Sequence, residues 1–288
     1  MSPQAAILAD GRRLHLQHGP IDLVIEAFGE VGAVQDAYRT AARRFDGLLE
    51  ELCAELPLLR AKQRSDSAEA EGIVARRMQA AVSPHAAAHF ITPMAAVAGS
   101  VADEILAAML AAAPLRRAYV NNGGDIALHL AEGEVFAIGL VDRPDQPSLF
   151  ARSEIRAADG VGGIATSGWR GRSFSLGIAD AVTVLAPSAA MADAAATIIA
   201  NAVDLPGHTA VTRLPAVSLQ PDSDLGERLV TRGVGVLTPG EIALALQGGE
   251  IRARDLIDAG LIAAAALHLA GATRLVPTSY ALIQPEAA

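Results

Sequence analysis

Five of the twelve residues from Gly160 to Gly171 are glycine, in the run Gly-Val-Gly-Gly-Ile-Ala-Thr-Ser-Gly-Trp-Arg-Gly. Each glycine adds backbone freedom that folding must remove, so a routine connection does not use so many. The density predicts either a flexible loop that wraps a ligand or a mobile hairpin tip. Thr166, Ser167, Arg170 and Arg172 supply donors suited to phosphate, and Trp169, the sole tryptophan, supplies a flat ring. No Gly-Lys-Ser/Thr follows and no helix is expected at the end of the run, which excludes a P-loop and a dinucleotide fingerprint. Ser167 in Thr-Ser-Gly-Trp does not fit a nucleophile elbow.

Three further segments carry chemistry. The Ala-rich stretch after Pro187 reads as a helix ending near Asp204, and it sets Asp193 and Thr197 four residues apart, one turn apart on one face. A carboxylate beside a hydroxyl is a hard-oxygen corner that suits Mg2+ completed by waters and phosphate oxygens. The alternative is a solvated face, or a threonine bonded back to the preceding turn. Asn121-Asn122-Gly123-Gly124-Asp125 follows a strand and reads either as a tight turn or as a place where backbone approaches an anion. The small-residue segment Thr92 to Asp103 implies close backbone packing, with Asp103 as its one charged group. Asp180 enters the apolar strand run at 181–185 either as a turn residue or as a carboxylate at the mouth of the glycine loop.

The remaining pattern mixes helices and strands. Short strands are expected at 5–8, 13–17 and 21–26, then one long amphipathic helix from Glu30 to Leu59 that breaks near Pro57. Its apolar face would include Val31, and Cys53 on it reads as a buried structural thiol. Lys62 to Gly72 is polar and reads as exposed or flexible. A helix is expected over 93–113, a hairpin of 126–130 with 135–140, and helices from the Thr238-Pro-Gly-Glu241 capping box to about Ala270. His85 and His89 find no third metal ligand nearby and read as an ordinary helix end. The fold class is α+β, with mixed or antiparallel sheets and packed helices, as one domain over residues 1–288 in which two intimate lobes are allowed.

Composition narrows the function classes. A net charge of −9 argues against a nucleic-acid binder. One cysteine allows no intrachain disulfide, consistent with a reducing cytoplasm. No signal peptide or bilayer-length apolar run is evident, so no membrane partner is expected. Lysine chemistry would rest on Lys62 alone.

Taken in order, these motifs resemble the FAD:protein FMN transferase (ApbE) superfamily, and most closely its short cytoplasmic branch. The matching pieces are Val97 to Asp103, Gly123-Gly124-Asp125, Ala165-Thr166-Ser167-Gly168, Val182-Thr183-Val184 and Ala192 to Thr197. The resemblance implies an α+β core that binds FAD or a related nucleotide. Mg2+ would be held by Asp193, Thr197 and a main-chain carbonyl near Val97. The matching pieces make Asp103, Gly123, Gly124, Asp125, Ala165, Thr166, Ser167 and Gly168 candidate cofactor-binding residues, and the glycine run itself adds Trp169 and Arg170. The implied chemistry is cleavage of the FAD pyrophosphate and transfer of FMN to a threonine of an acceptor protein.

The sequence departs from that pattern. Ala98 stands where the transferases carry Lys, and the segment Arg172 to Asp180 lacks their His and Pro-x-x-Gly. Asp180 or Ser175 would then have to serve as the base. The alternative is a flavin- or pterin-binding protein without transfer chemistry, linked to making a one-carbon carrier cofactor. A homo-oligomer is allowed by either reading.

Overall fold

The computed structural model describes residues 2–141 and 149–277. In chain order its elements are β1 (Gln4–Ile7), β2 (Leu14–His18), β3 (Ile21–Phe28), α1 (Val31–Phe45), α2 (Leu48–Ala54), α3 (Leu56–Leu59), α4 (Ile73–Val82), α5 (Val97–Ala112), β4 (Arg117–Asn122), β5 (Asp125–Leu130), β6 (Val135–Val141), β7 (Leu149–Arg156), β8 (Gly163–Ser167), β9 (Ala181–Ala186), α6 (Ala189–Ala202), β10 (Val211–Pro215), α7 (Ala216–Leu219), β11 (Leu229–Val234), α8 (Pro239–Asp258), β12 (Ala264–Leu269) and β13 (Ala272–Val276). The fold is α+β with antiparallel strand pairing. It divides into two compact units: 1–136 with 156–165 and 186–194, and 137–155 with 166–185 and 195–288.

In the first unit β1 to β5 form an antiparallel meander, and β8 joins β5 through Ile126↔Ile164 and Ala127↔Gly163. Alternation puts Leu14, Leu16, Leu23, Ile25, Ala118, Val120 and Ala127 on one face. That face forms a core with α1 and α5, whose Ala37, Ala41, Phe45, Val101, Ile105 and Met109 are buried.

The expected long helix is broken earlier than Pro57. Gly47 adopts a left-handed φ of 79°, which ends α1 and restarts the chain as α2, so the register of the apolar face resets there. Val31, expected inside, is 73% exposed at the helix start, and Cys53 is exposed. The polar stretch 62–72 has no regular structure, but it is tied down. Gln63 donates to Ile91 O, Ala70 N donates to Gln79 Oε1, and the Glu55 carboxylate accepts from the Glu71 and Gly72 amides. Pro93–Ala112 is the one described stretch long and apolar enough to cross a bilayer by length and composition. Half of its apolar window is buried, and Glu104 within it is paired to Arg44 and Arg77 at 2.7 and 3.0 Å.

In the second unit β9, β12 and β13 are neighbours, with β12 antiparallel to both others. β9 and β12 are buried along their whole length. The apolar run expected to be helical at 263–269 is therefore a strand. A continuous apolar stretch shows no period that separates a buried strand from a buried helix. α8 begins at the capping box, with both reciprocal bonds formed. β6 pairs with β7 and β10 with β11 as two-stranded ribbons. The hairpin expected between β5 and β6 does not form, because β5 is paired on both sides by β4 and β8.

Candidate functional site

The first unit gathers acids around two helix starts. Asp193 lies on the first turns of α6, and its Oδ2 accepts from the Gly99 amide at 3.0 Å, at the head of α5. The Ala98 amide reaches the same carboxylate. Asp103, further along α5, accepts from the Ala189 and Ala190 amides of α6 at 3.0 and 2.9 Å. Each helix is thus capped by an aspartate from the other, which satisfies amides that helix starts leave unpaired.

The approach that allows this is set by glycine. A Cβ on Gly99 would be driven into the Ala189 carbonyl, and one on Gly162 or Gly163 into the backbone of Pro187 to Ala189. Gly162 and Gly163 therefore serve a close backbone crossing, whereas Gly160 has open space around it and supplies a left-handed φ of 66°. Residues 163–167 are the strand β8, so the long flexible loop expected from the glycine count is replaced by a strand and a tight turn.

Burial and a like charge both act on Asp193. Its pKa is raised well above the ordinary carboxylate value, first by burial and then by repulsion from Asp125, against the opposing amides of Gly99 and Ala98. The residue as a whole keeps some accessible surface, yet the density of protein around the carboxylate desolvates it. Asp103 is raised as well, by burial, with the Ala190 and Ala189 amides and Arg77 opposing. Asp125 closes the hairpin opposite Asn122. Gly123 and Gly124 form its tip at φ of 65° and 116°, a conformation that favours glycine. The Gly124 amide donates to Asn121 Oδ1 at 2.8 Å, so the turn satisfies itself, and nothing lies within 4 Å of a Cβ built on Gly124. Asn122 Nδ2 donates to the Ala98 carbonyl at 3.1 Å, next to Val97 at the start of α5.

Thr197 follows Asp193 by one turn of the unbroken helix α6. Among the described residues no three His, Cys, Asp or Glu side chains gather as a metal-binding group, His85 and His89 included. His85 lies in a 3-10 turn that directly follows α4.

In the second unit Gly168, Trp169 and Arg170 lie against Asp180. Its Oδ1 accepts from Trp169 Nε1 at 3.1 Å and Arg170 Nε at 2.6 Å, and its Oδ2 from the Ala270 amide at 2.7 Å. A buried carboxylate with three donors is an anchor. Acting as the base that the sequence suggests, it would have to release one of them. Gly168 lets the chain pass against Asp180, where any Cβ would meet its carbonyl. Thr166 shares a hydroxyl bond of 2.8 Å with Thr183, and Ser167 ends β8 beside it. Ser175 is buried, with its hydroxyl bonded to Asn201 Oδ1 and to the Gly177 amide, a place in the packing of the 175–177 turn. Ala165 is buried in β8, at the edge of the first unit.

The antiparallel α+β scaffold, with a helix whose small-residue opening turns lead to Asp103, a Gly-Gly-Asp hairpin and an Asp-x-x-x-Thr helix, defines an ApbE-like protein. The chain belongs to the family described as "AbpE bacteria", which matches residues 5–275. It is similar to a "UPF0280 protein" of Methanopyrus kandleri, 36% identical over 184 residues that cover 62% of this chain and 71% of that protein. A "UPF0280 protein" of Methanothrix thermoacetophila is 40% identical over 121 residues, 41% of this chain and 49% of the relative. That of Methanococcus vannielii is 38% identical over 112 residues, 38% and 45%. The chain spans about half the length of the last two relatives.

Proposed function

We propose that this is a Mg2+-dependent ApbE-like enzyme that binds FAD or a related nucleotide and acts on its phosphate linkage. One observation carries the reading. The head of α5 joins Asp193, through the Gly99 amide at 3.0 Å, to the Gly-Gly-Asp hairpin, through Asn122 Nδ2 on the Ala98 carbonyl at 3.1 Å. Burial with repulsion from Asp125 raises the Asp193 pKa, so this carboxylate favours uptake of positive charge. A divalent cation would meet that demand. The donor set suits Mg2+, which is commonly held by one or two carboxylates and completed by waters and phosphate oxygens, so a cage of three acids is not required. When bound, the ion would neutralise phosphate oxygens and polarise the linkage.

Asp193 and Thr197 would hold the ion, with a main-chain carbonyl near Val97. The Gly99 and Ala98 amides fix the Asp193 carboxylate and still leave it acceptor capacity. Gly123 and Gly124 would admit a ligand by lacking side chains, since the Gly124 amide is already bonded. Asp103 would act from behind, by holding the start of α6. The second unit, taken by itself, offers Thr166, Ser167 and Arg170 as donors suited to phosphate oxygens, with Trp169 as a ring face. The reading includes a cytoplasmic location in the short branch of the family and an acceptor protein for the transferred group.

A second reading, a flavin- or pterin-binding protein without transfer chemistry, is favoured by one observation. Both residues offered as a base are tied up, Asp180 by three donors and Ser175 by Asn201 and Gly177. Incubation with FAD and Mg2+, followed by chromatography for AMP and FMN, separates the two. Products that vanish in Asp193→Asn support the enzyme. Mg2+-dependent binding of FAD without products selects the binder. Neither product nor thermal stabilisation removes the FAD version of both.

A further inference from the structure

Arg170 is held by one nitrogen only. Its Nε donates to Asp180 Oδ1 at 2.6 Å, and its guanidinium carbon lies 4.4 Å from the Trp169 ring centroid. The platform is itself fixed: the Trp169 indole donates to the same Oδ1 at 3.1 Å, and the Trp169 amide donates to Ala179 O at 3.0 Å. Asp180 is 6% exposed and held from behind, its Oδ2 accepting from the Ala270 amide and its own amide donating to His268 O at 3.0 Å. The Arg170 side chain is 28% exposed, and no hydrogen bond or ion pair among the described residues engages its Nη1 or Nη2. Arg172, two residues on, is exposed.

A guanidinium usually meets a carboxylate through two parallel bonds. Here a single Nε contact stops the arginine from swinging, while among the described residues neither terminal nitrogen has a partner. The charge of Asp180 is shared among an indole, an amide and the guanidinium. A stacked guanidinium with two available nitrogens has lost most of its rotamer freedom before any ligand arrives, which suits it to the oxygens of a phosphate. We propose that Asp180 is a positioning residue that aims Arg170, backed by Trp169, as a two-pronged clamp for a phosphate group of an anionic ligand. The clamp rests on the nucleotide reading for the identity of that ligand, and its geometry lies wholly within the second unit.

Trp169 is the only tryptophan, so its fluorescence reports on this site alone. The probe is inorganic pyrophosphate without metal, titrated against the full chain. A saturable change in Trp169 emission is expected. Arg170→Lys keeps the charge and loses the fork, and should weaken binding by about tenfold. Asp180→Asn gives a test of sign. Coulomb attraction alone predicts tighter anion binding once a negative charge is removed. Positioning predicts weaker binding, by about tenfold as well.

A well-folded Asp180→Asn protein that binds as tightly as the parent, or more tightly, overturns the proposal. So does a parent protein whose Trp169 emission never responds. If Asp180→Asn fails to fold, Arg170→Lys decides, and unchanged affinity there refutes the clamp. Pyrophosphate bound at Trp169 in a protein that ignores FAD and Mg2+ leaves the clamp standing and removes the nucleotide reading. FAD binding that depends on Asp193 while the Arg170→Lys protein binds FAD as well as the parent does the reverse.

Discussion

Asp103 and Asp193 cap each other's helices. Asp103 on α5 accepts from the Ala189 and Ala190 amides of α6, and Asp193 on α6 accepts from the Gly99 amide of α5. The exchange places two acids at neighbouring helix starts, where partial positive charge on the amides favours them. Burial raises the pKa of both, and for Asp193 repulsion from Asp125 is the largest contribution after burial, with Asp103 adding to it. The capping pair is thus two strained carboxylates, of which Asp193 carries the added repulsion of the Gly-Gly-Asp hairpin's acid.

Asp103→Ala should destabilise the protein by about 1–2 kcal/mol, because two amides of α6 lose their acceptor. Asp103→Asn retains one acceptor and should lose about half as much. Denaturant midpoints at constant slope measure both. An Asp103→Ala midpoint equal to that of the parent would show that water replaces the cap.

Gly99 and Gly240 should respond in opposite directions to alanine. At Gly99 the new methyl is forced into the Ala189 carbonyl, and the helices must separate, at a cost of about 1–3 kcal/mol. At Gly240, in the first turn of α8, nothing lies within 4 Å and φ is ordinary, so alanine should add about 0.5–1 kcal/mol through the unfolded chain. Equal effects at the two positions, read from thermal unfolding, would contradict the close crossing of α5 and α6.

What the sequence disclosed follows the range of the interactions. The capping box of α8 is local, four residues long, and was legible along with β2, β3, α5 and α6. The role of Asp103 was hidden because its partners lie 86 and 87 residues away. The glycines at 162 and 163 read as flexibility because a sequence shows the missing side chain and not the backbone that occupies its place. β12 was hidden by being buried on both faces, which removes the alternation that marks a strand. Asp180 was visible as a carboxylate at the start of β9. That it anchors Trp169 and Arg170 depends on a turn geometry that no spacing rule contains.

Glu241 predicts an acid-sensitive link in the second unit. Its pKa is lowered to about 2, first by the Thr238 amide, then by His208 and the Thr238 hydroxyl. Between its ordinary value of 4.5 and about 2 the folded state binds fewer protons than the unfolded chain. The stabilisation is therefore complete above 4.5 and is lost as pH falls through about 2. Glu241→Gln should be less stable than the parent at neutral pH, and the two curves should converge in acid. A gap that stays constant down to the lowest pH would assign the effect to packing.

Asp193→Asn should separate stability from metal binding. The folded pKa of Asp193 is raised, so its contribution is present below the ordinary value of 3.8 and lost as pH rises through the folded value. Above that ordinary value, without metal, the raised pKa makes Asp193 cost the folded state stability, whether it ionises or keeps its proton. Asparagine removes that cost and the repulsion from Asp125, and its side-chain oxygen can still accept from the Gly99 amide. The metal-free melting temperature of Asp193→Asn should equal or exceed that of the parent. The parent should gain stability on adding Mg2+, by mass action on the folded state, and the variant should not. A variant several degrees less stable than the metal-free parent would mean that the charge at this position serves only to cap α5, and the case for a cation there would be gone.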